Sequence, residues 1–274
     1  MAVEYRYAGP DGEGIDLLPE GIGAAVGSEY CVHLLPFPDT LAGLVERTGE
    51  RGNPLLLLTP YFRDAELKRA LGLFRAIPPV AHVEVAVNDW GLLLALRALL
   101  PRLPVSIGRL LSGQKRCPRI GISPRLTDEG RRWHGGGVFS SSSARRLLEG
   151  EYGVKGYHVD DLEWMRNGGG EGIPEEEGAD GPGRAEDPPR LVVHSPYSLV
   201  TVSDRCPWIG GRSSAELPSC SRPCLGGTVG LFEPSMGKEL ILRGKARFAR
   251  NPPPRTESPG REARFDRVRY GEVP

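Results

Sequence analysis

Three of the five cysteines fall in one short stretch, CPWIGGRSSAELPSCSRPC, as Cys206, Cys220 and Cys224, with 13 and then 3 residues between them. Free cysteines kept only for packing are usually scattered singly, so this crowding points to binding. Thiolates are soft ligands suited to iron–sulfur clusters and zinc, and both normally take four protein ligands. The fourth must come from far along the chain, from Cys31 or Cys117. A three-residue gap suits a zinc knuckle as well as a cluster, so the residues alone leave that choice open. Cys31, in an apolar segment, also fits plain burial. Cys117 lies among Lys115, Arg116 and Arg119 in what reads as an exposed basic loop, where the charges would favour a reactive thiolate.

Other polar residues offer weaker chemistry. Asn88 and Asp89 close a strand-like run, where a barrel puts substrate-facing groups, although Asn-Asp is equally helix-capping chemistry. His194 lies on the strand leading to the cysteines and could donate a proton or bond a sulfide. Arg109, Gln114 and Arg205 sit where they could hold an anionic substrate, or simply be solvated. His33, His82, His134 and His158 show no metal spacing with one another. There is no Ser/His/Asp set and no HExxH helix, so hydrolysis has no support in the residues. GIGAAVG at 21–27 resembles a dinucleotide loop only loosely, with no clear strand before it, and is set aside.

The elements that must position these residues alternate. Strand patterns read at 29–35, 54–60, 82–89 and 104–111, and helical spacing reads at 39–50, capped by Asp39, at 63–77 and in WGLLLALRALL. SSSARRLLEGEYG and GYHVDD continue the rhythm as helix and strand, and 190–203 reads as a further strand region entering the cysteines. Repetition of strand and helix predicts parallel strands with crossover helices, as an open doubly wound sheet or a (β/α) barrel. The carboxyl ends of such strands share one rim, so thiols distant in sequence can meet there. Segment 167–189, rich in Gly, Pro and acid, is predicted to be a disordered surface loop, and 251–263 a flexible segment. They divide the chain into one domain over 1–250, with a possible hairpin at 239–250, and a strand-like tail over 264–274.

Lys and Arg together number 35, as do Asp and Glu, so no global field draws nucleic acid or an anionic membrane, though a local basic patch is still allowed. The start lacks a basic region followed by an apolar one, and the longest apolar run is interrupted by Arg97, short of the roughly 20 residues a spanning helix needs. These features predict a cytoplasmic protein without a membrane span. An odd cysteine count in a reducing compartment favours a metal or a reactive thiol over disulfides.

The stretches HVEVAVNDWG, IGRLLSGQ and LVVHSPYSLVTVSDRCP, with Cys220 and Cys224 downstream, resemble the collagenase-like peptidase family U32, and within it the UbiU/UbiV-type anaerobic ubiquinone-hydroxylation branch. The likeness spans about residues 28–228. It implies a TIM-barrel-like α/β domain with a cysteine-rich segment at the strand carboxyl-end rim; the long Gly/Pro inserts in a chain of 274 residues leave room for an incomplete barrel that lacks some helices. It also implies an oxygen-sensitive [4Fe-4S] cluster on Cys31, Cys206, Cys220 and Cys224. In that branch one ligand follows the first strand, whereas Cys31 here falls inside a predicted strand; Cys117 is extra. The implied activity is oxygen-independent hydroxylation of an aromatic or nucleobase substrate, with a related chain as partner in a heterodimer. The rival readings are a zinc-stabilised, non-catalytic scaffold and an RNA-modifying hydroxylase or peptidase of the same family.

Overall fold

The computed structural model describes residues 2–75, 77, 78, 80, 82–162, 164, 165, 189–251 and 265–271. Eight parallel strands close into a barrel: β1 (Glu4–Tyr7), β2 (Gly23–Gly27), β3 (Leu55–Leu58), β4 (Val83–Val87), β5 (Val105–Ile107), β6 (Val154–Asp160), β7 (Leu191–Ser195) and, far along the chain, β14 (Asp266–Arg269). β14 pairs with both β7 and β1, so it is the eighth stave. Helices α1 (Pro38–Glu50), α2 (Asp64–Arg75) and α3 (Trp90–Leu99) make the crossovers from β2 to β5. The β5–β6 crossover is longer and carries the short helices α4 (Arg119–Ile122), α5 (Asp128–Gly135) and α6 (Ser142–Arg145), the last running into a π-helical turn at Arg146–Glu151.

Alternation along the strands sorts the side chains. Leu55, Leu57, Val85, Val87, Val105, Ile107, Tyr157 and Val159 pack outward with the helices in one apolar cluster. The residues between them face the barrel interior, where Tyr5, Ala25, Leu56, Leu58, Ala86, Val192 and Val268 form a second cluster. β3, buried on both faces, is the four-leucine run LLLL, as expected of a central parallel strand.

Between β7 and β14 the chain leaves the barrel. Pro196, with no N–H to donate, separates β7 from β8 (Tyr197–Val202). β8 joins an antiparallel sheet in the order β11-β12-β13-β8, formed with β11 (Val229–Glu233), β12 (Lys238–Arg243) and β13 (Ala246–Arg250). A two-stranded ladder, β9 (Arg205–Cys206) with β10 (Arg212–Ser213), completes the insert. Leu199, Ala246 and Phe248 belong to the same cluster as the barrel interior, and Phe248 meets Tyr30 edge-on at 5.8 Å between ring centres. The insert therefore covers the carboxyl-end rim and extends the core beyond the staves.

Several expectations are corrected. The first strand region at 29–35 is not a strand: β2 lies earlier, in GAAVG, and Val32–Leu34 is a 3-10 turn. The weak strand propensity of GAAVG hides a steric demand, since a Cβ on Gly23 would stand 2.4 Å from the Tyr5 ring and one on Gly27 would stand 2.5 Å from the Leu58 carbonyl oxygen. Asp39 does not cap α1; Phe37 holds that position, Pro38 opens the helix, and Asp39 lies in its first turn. The 190–203 region is two strands in two sheets. The barrel does not end at 250, because the 264–274 tail supplies β14. The hairpin at 239–250 is present as β12 and β13. The predicted loop at 167–189 lies, apart from Pro189, outside the described residues, as does 251–263 apart from Asn251.

Candidate functional site

The shift of β2 towards the N-terminus has a consequence for Cys31: it follows a strand, at the carboxyl-end rim, rather than lying inside one. The other three thiols come from the insert, Cys206 on β9, Cys220 in the following loop, and Cys224 in the 3-10 turn Pro223–Gly226. All four line one pocket, which Trp208 and Lys245 also border. Cys224 is buried and the other three are half-buried. Cys117 is not part of it: its sulfur accepts from Arg119 Nε at 3.3 Å, in the long β5–β6 crossover.

The joint between the two cysteine-bearing regions is Arg222. Its guanidinium donates to the carbonyls of His33 at 2.7 Å and Leu35 at 3.0 Å, and pairs with Asp11. Its own N–H reaches Cys220 Sγ at 3.4 Å. It does this from a left-handed backbone conformation, φ 56°, which is uncommon for a residue with a side chain.

Electrostatics show that the thiols share one field. Burial pushes Cys31 and Cys206 up from the usual thiol value, and burial together with the charges of Cys31, Cys206 and Cys220 pushes Cys224 up to about 11. Lys245 opposes the rise at Cys31 and Cys206. Among the described residues, no group of three or more His, Cys, Asp and Glu side chains is disposed to hold a metal ion. In type and number the donors nonetheless match a soft metal group: four thiols line one pocket. Trp208 adds to the fit: its indole N–H is buried without a hydrogen-bond partner among the described residues, a donor that cluster sulfide could satisfy.

A second polar assembly fills the barrel beneath this rim, and most of the weaker sequence candidates meet in it. Arg109, fully buried, binds Glu29 (Nε to Oε2, 2.5 Å), Asp160 (Nη1 to Oδ1, 2.8 Å), the Tyr197 carbonyl and the Tyr270 hydroxyl. Asn88 donates to Glu29 and to the Thr59 carbonyl and accepts from the Leu110 N–H. Gln114 bonds the backbone of Asp160 in both directions. Ser106, His158, His194 and Tyr270 then form a line, with contacts of 2.9, 2.7 and 2.6 Å. Asp89 has no place here; its carboxylate accepts from the Leu92 N–H at 2.9 Å and caps α3. Arg205 lies exposed in the insert, donating to the Gly211 carbonyl.

Burial would raise the Glu29 carboxyl, but the Arg109 guanidinium outweighs it and holds Glu29 below the usual range. Burial drives His158 down to about 4, and burial with the charge of Arg109 puts His194 well below its ordinary value, so both rings are neutral near pH 7. Glu29, His158, Asp160, Tyr270 and Lys245 were not singled out from sequence for any of these roles. The signal available was alternation: with Val83, Val85 and Val87 outward, the residues between face inward, and the same parity puts His158, Asp160 and His194 inside.

No family model matches the chain, and no curated protein matches it. One solved structure is similar, the U32 peptidase Mk0906, at a TM-score of 0.47 and 15% identity, over 100% of this chain and 95% of that one. A likeness of that size carries no argument here, and the barrel rests on the strand pairing itself. No helix among the described residues is long and apolar enough to cross a membrane.

Proposed function

We propose that this chain is an iron–sulfur protein that carries a [4Fe-4S] cluster on Cys31, Cys206, Cys220 and Cys224 and takes part in oxygen-independent hydroxylation of an aromatic or nucleobase substrate. The observation that carries the cluster is the convergence of four thiols from opposite ends of the chain on one pocket, with Cys117 left out. The reaction class comes from the sequence resemblance to the hydroxylation branch of the U32 family, as does a related chain as partner. A bound cluster of this kind supplies one-electron transfer. The protein's own contribution is to gather the thiolates, cover them with the insert and hold Trp208 beside them. Beneath, the neutral rings of His158 and His194 and the Tyr270 hydroxyl form a line of groups that can each give and accept a proton at a ring nitrogen or hydroxyl oxygen.

The test is anaerobic purification with visible absorption and iron and sulfide analysis, on wild type, Cys31→Ala and Cys117→Ala. A brown chromophore with both elements in wild type and Cys117→Ala, bleached in Cys31→Ala, is the expected result. A colourless protein holding zinc would replace the cluster by a d¹⁰ structural site, and absence of both iron and sulfide would remove the reading. Salt-sensitive retention of RNA by the loaded protein would direct the substrate search to nucleobases in RNA.

A further inference from the structure

Lys245 is a buried cation that the cluster reading does not use. It is 7% exposed, on the turn between β12 and β13, and it lines the cysteine pocket. Its Nζ donates to Ser214 Oγ at 3.3 Å, and that hydroxyl donates in turn to the buried carboxylate of Glu66 at 3.0 Å. Among the described residues no carboxylate lies within ion-pair distance of Nζ. A buried ammonium with one neutral hydrogen-bond partner is costly unless an anion completes its surroundings. The pocket it shares holds four thiols, which turn anionic when they bind metal, and the other cation of its lining, Arg222, is already paired with Asp11. Gly244 brings the lysine there: at φ +57° it makes the tight turn, and a Cβ on it would meet the Tyr30 ring at 3.0 Å and Cys224 Sγ at 3.6 Å.

We infer that Lys245 is the charge-compensating residue of the thiol pocket, a positioning residue whose ammonium offsets the negative charge of four thiolates once they hold metal. It deepens the cluster reading and rests on it, but its electrostatic content applies to any thiolate-bound metal. Four thiolates around a [4Fe-4S]²⁺ core leave a net charge of −2, and around a divalent ion they leave the same −2. One adjacent buried cation stabilises either state, and it favours a further added electron because the negative charge then increases.

The experiment compares wild type, Lys245→Arg, Lys245→Gln and Lys245→Met in two forms. Metal-free protein is titrated anaerobically with Co²⁺, read by thiolate-to-cobalt charge-transfer absorption. Protein reconstituted with iron and sulfide is poised in a redox titration. Loss of the charge in Lys245→Gln should weaken Co²⁺ binding by about tenfold, the usual scale for groups that support metal ligands, while Lys245→Arg stays near wild type. In the reconstituted series the midpoint potential should move to more negative values in Lys245→Gln and Lys245→Met and hold in Lys245→Arg. Circular dichroism and the thermal midpoint separate misfolded variants from folded ones, and the two neutral variants serve as alternates for each other. Equal Co²⁺ affinity in all folded variants overturns the assignment. Failure of every variant to form a chromophore sinks the iron–sulfur reading instead, leaving the cobalt comparison to decide the role of Lys245.

Discussion

His158 and His194 are bases placed where taking a proton is expensive. Each ring has a hydrogen-bond partner at both nitrogens, so neutrality is stable, while protonation adds a charge that burial cannot solvate and that Arg109 repels. The sign of the resulting pH effect follows from linkage. In the folded protein His158 titrates at about 4, and in the unfolded chain near the ordinary 6.5, so between those values the unfolded state binds more protons and stability falls as pH falls. The single residue should cost roughly 3 kcal/mol of unfolding free energy by pH 4. Urea unfolding from pH 7 to 4 checks this: His158→Gln should lose less stability over the interval than wild type, and parallel curves would refute it. The pair was invisible to spacing rules because its members stand 36 positions apart. The cysteine trio was legible because three thiols close together in sequence need no fold to reveal them.

At the scale of elements, the site depends on a loop held by a side chain. Residues 220–224 have no regular structure before the 3-10 turn, and Arg222 anchors them to the segment after β2 through two carbonyls and an ion pair. Charge-assisted bonds of this kind, partly shielded from solvent, contribute more than a surface pair. Arg222→Gly isolates the guanidinium, because glycine accepts φ 56° without strain. It should lower stability by about 2 kcal/mol and speed loss of metal from the pocket. Thermal unfolding and the release rate to a chelator measure both, and an unchanged release rate would show that the loop holds its place by other contacts. Sequence reading reached α1, α2, α3 and most staves because their apolar periods are long and clean. It missed β1 altogether, and it missed β2, whose small residues answer to crowding by Tyr5 and Leu58 rather than to propensity, and so misplaced Cys31 within a strand.

The whole molecule is closed by its far end. Without β14, strands β1 and β7 would each show an open edge, and a parallel barrel has no stable way to leave edges bare. β14 also carries Asp266, which accepts from the Val3 N–H at 2.7 Å and from Arg190 Nε at 2.6 Å, while Arg190 pairs in addition with Glu84. That ion cluster lies at the amino end of the barrel, opposite the thiols, so closure and site are served by separate groups at the two ends. Alternation predicted parallel strands but could not choose between barrel and open sheet, since the deciding pair joins residues more than 260 positions apart. A chain ending at Arg250 should therefore lose cooperative unfolding and near-ultraviolet dichroism while keeping much of its helix signal. Asp266→Asn, which keeps β14 and weakens only the ion cluster, should retain a single sharp transition at a lower midpoint. If the shortened chain unfolded as sharply as the full one, the eighth stave would be an accessory strand and the barrel would close without it.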